Sequence, residues 1–577
     1  MSKPHFNARN PLTVTFDQFH GISAPTPEAK LSPGKVINFR VGADGSLHKR
    51  CGARTLYTLP TSIRSHWSGY LNGSFYLYFL AGDSLYLGYT RQKYYQKIGT
   101  VSTSDGSASF FYLQGTLYLN DGEKLYLIDG DQVREAIGYV PLYGKDWDAN
   151  TMGEVNEPFN ILNSCVRITY HITTDSLIFL RVPHEIESVQ AVFLNGVRLS
   201  DEEFQHNTAI NTIDVSGLLN GDDVEVYLTF ACDHSDVRRK FCSVEGSVFF
   251  GSAEKSRNFF FGGVAGDTVF CSEHVPPKEL ENARLVYNAD PLYLPEGNEF
   301  QIPEQNHDIQ ALLCHKDHLL IFTEKDTWLG SIDSTGHTPL PSVLINSKHG
   351  CLSSAGSVLA KNDPITIDRN GLYLWQSTNP ELTERDTVRI SDALDFFLTP
   401  SDLSTASLYY DEALDELWLT LPSRNEVWIC SMKRNEWFCF SGFRAERIFE
   451  ADGWIGFYSG GTVSVFKPDL RYDMDPDGKS TKICAVYETP PLNFGTFQKK
   501  NLSHISFDTT GDGALFELTF RLDELSSSTC QTFDTQGRNY GTLPFRLRSG
   551  RFQNATLEIS TENHANPIIY SLTLTAH

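Results

Sequence analysis

Short apolar runs separated by polar tight turns dominate this chain. "SFYLYFLAGDSLYLGY" (74–89) reads as strand, Ala-Gly-Asp-Ser turn, strand. "GTLYLNDGEKLYLIDG" (115–130) repeats the plan, as do "DHLLIFTEKDTWLGSI" (317–332) and "DELWLTLPSRNEVWICSMKRNEWFCF" (415–440). "DGWIGFYSGGTVSVFKP" (452–468) is the last of the series. Apolar runs bounded by Gly, Asn and Asp turns are hairpin signals. They recur at loose intervals of about 40 residues, the spacing of propeller blades. Radial packing buries both faces of most strands, which accounts for continuous runs such as "LLIF" beside simple alternation. Helical periodicity is scarce, and "SDALDFFL" (391–398) is the clearest short helix it predicts.

Two stretches depart from the pattern. "VRITYHI", "SLIFLRV", "QAVFLNGVRL" and "DVEVYLTF" read as a compact sandwich with an Asn195-Gly196 hairpin. Beyond the acidic stretch "DLRYDMDPDGKSTK", strands such as "HISFD", "LFELTFRL" and "IIYSLTLTA" predict a second sandwich. The expected fold class is therefore all-β: a degenerate β-propeller with an inserted β-sandwich and a C-terminal β-sandwich. The expected domains are an N-terminal arm and first hairpin (1–60), the first part of the propeller (61–145), the insertion (146–235), the rest of the propeller (236–470), an acidic linker (471–482) and the C-terminal sandwich (483–577).

Composition sharpens the class. At 577 residues the chain exceeds what one core supports. Its 71 acidic against 48 basic residues give a formal net charge of −23 at pH 7. That balance excludes a large basic surface for phosphate backbones. The start, "MSKPHFNARNPLTV", lacks a signal-peptide core, and no window offers 18 continuous apolar residues. The 11 Cys never form a CxxC pair, which points to folding in a reducing cytoplasm and away from a disulfide framework.

Candidate chemistry is sparse. Cys51 lies beside Arg50 and close to His48, but strand alternation turns Cys51 away from both, and a small buried Cys is the plainer account. Asp473, Asp475 and Asp477 before Gly478 have the D-x-D-x-DG spacing of a calcium loop. Cys484 stands where the closing Glu is needed and Pro476 stiffens the turn, so a solvated acidic linker competes with calcium and no cofactor is expected otherwise. Cys314, His315 and His318 sit at a strand-turn-strand junction, where a hairpin turn explains them better than a metal. "SIDSTGHT" from Ser331 is an imperfect, single Asp box. No GxSxG, HExxH or P-loop occurs. Six of the eight Trp fall between Trp328 and Trp454; an exposed cluster would stack on sugars, and blade cores explain them otherwise. No enzyme is expected; the alternative from another class is a glycan-binding or glycan-degrading propeller.

The order of segments carries a resemblance. "LSPGKVINFRVGADGSLHKRCGARTL" resembles the N-terminal signature of tail nozzle proteins of short-tailed bacteriophages, also described as phage stabilisation or head-to-tail proteins. Its positions here are Leu31, Gly34, Asn38, Gly45, Leu47, Arg50 and Gly52. "FFGSAEKSRNFFFGG", with Arg257 and later Ser272, and "IQALLCHKDHLLIFTEKDTWLGSI" look like the family's central hairpins. "HGCLSSAGSVLAKNDPITIDRNGLYLW" is the most specific part, with Gly350, Cys351, Ser357 and Gly371. "YETPPLNFGTFQKKNLSHISFD" resembles the entry to the C-terminal domain, with Thr489, Phe494-Gly495 and Lys499-Lys500. The resemblance implies a homo-oligomer, a ring of six below the portal and adaptor proteins, carrying tail fibres or spikes. It implies a virion tail protein assembled in the host cytoplasm, whose lumen conducts phage DNA without sequence-specific binding. Arg50 is then expected to be an anchoring ion pair or subunit contact.

Overall fold

The computed structural model describes residues 11–24, 32–175, 177–232, 234–251, 257–275, 290–302, 307–316, 318–330, 342–376, 386–510, 514–523, 525–534, 540–544, 551–562 and 567–577. The chain is nearly all β. Among the described residues it contains seven four-stranded antiparallel meanders, the unit from which propeller blades are made, together with two sandwiches. No helix among them is long and apolar enough to cross a membrane. The chain divides into two compact bodies.

One body spans 64–88 and 96–354. It holds most of the meander 63–100, and the meanders 109–135, 246–301 and 309–346. The insertion lies between the second and third. Its strands Leu142–Trp147, Cys165–His171, Asp223–Phe230, Ile186–Leu194 and Val197–Arg198 form one sheet, and Leu177–Arg181, Thr212–Leu218 and Phe204–Asn207 the other. Val166, Ile168, Leu180, Ile213, Val226 and Leu228 close the core between them. Asn195 (φ 47°) and Gly196 (φ 82°) make the tight hairpin turn, which needs two left-handed residues. The insertion is a detour. After it, the helix Ser235–Cys242 seats Phe241 in a core shared by the second and third meanders. Phe111 meets Phe260 edge-on at 4.9 Å. Buried Asn160 ties the detour down: its amide donates to the Tyr139 and Leu292 carbonyls at 2.9 and 3.0 Å.

The other body comprises 1–63, 89–95 and 355–577. Two of its meanders are contiguous in sequence, 357–389 and 407–441. The third is closed from far away: Arg447–Glu450, Ile455–Ser459 and Thr462–Lys467 receive Gly52–Thr58 as their fourth strand. The C-terminal sandwich also draws on the N-terminus. Its sheet of Ile568–Ala576, Leu502–Thr509 and Tyr540–Pro544 takes in Leu12–Phe16 and the hairpin Phe39–Val41/Leu47–Lys49. Lys35–Ile37 pairs with Glu436–Ser441 on one side and Ala485–Glu488 on the other. A single nine-stranded sheet thus runs from a meander into the sandwich.

Three local outcomes differ from the sequence expectations. The described strands of the expected arm, Leu12–Phe16, Lys35–Ile37, Phe39–Val41, Leu47–Lys49 and Gly52–Thr58, are distributed among the sandwich, the edge of the 407–441 meander and the last meander, where they find open strand edges. The stretch 471–482 forms a small hairpin, Asp473–Met474 with Ser480–Thr481, added beside Gly52–Thr58. The helix expected over 391–398 is only a 3-10 turn, Asp392–Leu394. Leu394 is buried while Phe396 points to solvent, so no apolar stripe exists to hold a longer helix. A one-turn helix, Pro400–Leu403, follows, with Thr399 and Asp402 forming its capping box.

Candidate functional site

Arg50 stands where the chain leaves the sandwich strand Leu47–Lys49 and enters the meander strand Gly52–Thr58. It is 1% exposed. Its two terminal nitrogens donate to both carboxylate oxygens of Asp473, at 2.8 and 2.6 Å. Nε donates to the Asn38 side-chain carbonyl at 2.8 Å, and the Cys51 and Ser441 carbonyls accept from the terminal nitrogens. Phe443 lies under the guanidinium, 5.1 Å from its carbon. Asn38 adopts a left-handed backbone (φ 54°), and its amide donates to the Cys484 carbonyl at 2.7 Å. One planar cation therefore joins the opening hairpin, the 407–441 meander and the 473–481 hairpin, the bidentate geometry that Arg supplies and Lys does not.

The other signature residues are also joints. Gly45 (φ 84°) makes the hairpin turn, and Leu47 is buried. A side chain on Gly52 would stand 1.9 Å from the Tyr472 carbonyl oxygen. One on Gly350 would stand 2.2 Å from that of Thr323, which also accepts from the Cys351 amide at 2.8 Å. Cys351 is buried, and Gly371 (φ 142°) packs on the Ser391 hydroxyl. Arg257 pairs with Glu273 at 2.6 Å, and buried Thr489 bridges to Leu557 through backbone and hydroxyl. Leu31 and the Ser331 Asp box lie outside the described residues.

The calcium spacing folds differently from a metal loop. Asp473 is engaged by Arg50 and by the Ala53 amide, and Asp475 accepts from the Lys479 amide at 2.7 Å across the turn that carries Asp477. Cys314 and His315 end one strand, and His318 begins the next, paired opposite His315. Among the described residues no group of three or more His, Cys, Asp or Glu is placed to share a metal. Five of the six clustered Trp (Trp328, Trp375, Trp418, Trp428, Trp437) are buried in meander cores.

Beside Arg50 opens a cavity of about 990 Å3. Arg40, His48 and Lys49 form one wall, and the turns 411–416 and 431–434 the other. Trp418, Phe440 and Phe466 supply its apolar floor. Arg40 pairs with Glu416 through one carboxylate oxygen. The second Glu416 oxygen and the Trp418 indole nitrogen are buried without a hydrogen-bond partner. Burial pushes the Glu416 carboxyl up. Burial, helped by the Arg50 charge, brings the Lys49 ammonium down to about 8. Burial also raises the Cys51 thiol in spite of Arg50, so this sulfur is held away from its nucleophilic form. The walls are suited to gripping an apolar group with polar flanks.

No family model and no curated protein matches this chain. Among solved structures, the AfRom2 CNH domain is 7% identical with a TM-score of 0.35, covering 72% of this chain and 99% of its own. A chain of the mitotic checkpoint complex is 10% identical with a TM-score of 0.30, covering 77% of this chain and 96% of its own. Likenesses at that level carry no argument about function.

Sequence reasoning singled out Arg50 as an anchor but not its partner, which lies 423 residues away. Glu416 carried no chemical signal, being one polar residue at the start of an ordinary strand pattern, and Asn38 stood out only as a position of the resemblance.

Proposed function

We propose that this chain is a structural subunit of the tail nozzle of a short-tailed bacteriophage, acting by assembly and not by catalysis. One observation carries the proposal. The residues on which the resemblance rests (Gly45, Leu47, Arg50, Gly52, Gly350, Cys351 and Gly371) are buried joints or turns that build the fold. A signature of that kind belongs to an architectural protein, whereas an enzyme's would converge on an open cleft. On this reading six copies form a ring below the portal and adaptor, with the insertion and the C-terminal sandwich available for ring contacts or for fibres and spikes. The net charge of −23 supports passage of duplex DNA with little adhesion. The glycan-binding alternative needs an exposed Trp cleft, and the Trp cluster is largely core.

Mass measurement of the purified full-length protein, with electron-microscope images of the particle, tests the proposal. The expected result is a ring of six around a central channel. A monomer that binds saccharides would overturn it.

A further inference from the structure

We draw no further inference here: the strongest candidate, the outer edge of the ten-residue strand Leu525–Asp534 in the C-terminal sandwich, which among the described residues pairs on one side only and carries no charge before Asp534, offers backbone groups that any extended segment could meet, and nothing in the structure shows what covers it.

Discussion

Arg50 shows how much of a fold can hang on one side chain. Removing it leaves the Asp473 carboxylate without its bidentate partner in a largely buried place, and breaking such a pair typically costs about 3–5 kcal/mol. Arg50→Met is therefore expected to lower the denaturation midpoint strongly, and Arg50→Lys to recover only part, since an ammonium cannot reproduce the fork. The double variant Arg50→Met/Asp473→Leu should be more stable than Arg50→Met alone; urea titration of the three measures it. Lys49 makes a prediction of opposite sign. Its ordinary value of 10.5 falls to about 8 in the fold. Below pH 8 the proton is bound in both folded and unfolded chains, and the fold bears the full cost of a buried charge. Between pH 8 and 10.5 the unfolded chain holds more protons than the folded one, so this contribution to stability rises with pH. Lys49→Met should accordingly be more stable than the unchanged protein at pH 7, by on the order of 2 kcal/mol, with the advantage vanishing by pH 10.5. A constant difference across that range would show that the ammonium is solvated. At this scale the sequence was informative about type and silent about partner: Arg50 stood out as an anchor and Asp473 as part of a calcium-like spacing, but nothing local joins the two.

At the scale of elements, the meander closed by Gly52–Thr58 is the most exacting feature. Thr58 lies opposite Thr462, and their hydroxyls are 3.3 Å apart. Cysteines at both positions should oxidise readily and raise the unfolding free energy by about 2–4 kcal/mol in a reductant-sensitive way, since the bridge closes a very long loop. Cysteines at Thr58 and Ser464, which are not opposite each other, should fail to bridge. Reversal of that preference would place the strand in another register. Hairpins such as 74–89 and 426–441 were legible because apolar runs and turn residues are local properties. The short periodicity of 391–398 predicts a helix, but the chain makes only a 3-10 turn there, because Phe396 faces outward and leaves no apolar stripe to hold a longer one. The asparagine that fastens the insertion, Asn160, was invisible for the same reason as the pairing of Arg50 with Asp473: its partners lie far along the chain. Asn160→Ala should strip hydrogen bonds from two buried carbonyls and cost about 2–4 kcal/mol, seen as a lowered Tm.

For the whole molecule, charge is the property that reaches furthest. With a formal charge of −23, the protein should show no retention of duplex DNA in a mobility-shift assay even near ~50 mM salt, where counterion release favours binding most. Salt-sensitive retention would reveal a concentrated basic surface and count against conduction by repulsion. Strand content, the recurrence of meanders, the presence of two sandwiches and the acidic balance were all determined by the sequence alone, because each depends on residue types and on spacings of a few residues. Only the tertiary structure decided that the N-terminus completes both the last meander and the C-terminal sandwich, and that Arg50 meets Asp473. These are pairings between positions hundreds of residues apart. Edge strands and charges are generic partners, and which of them meet is settled by the packing of the chain as a whole.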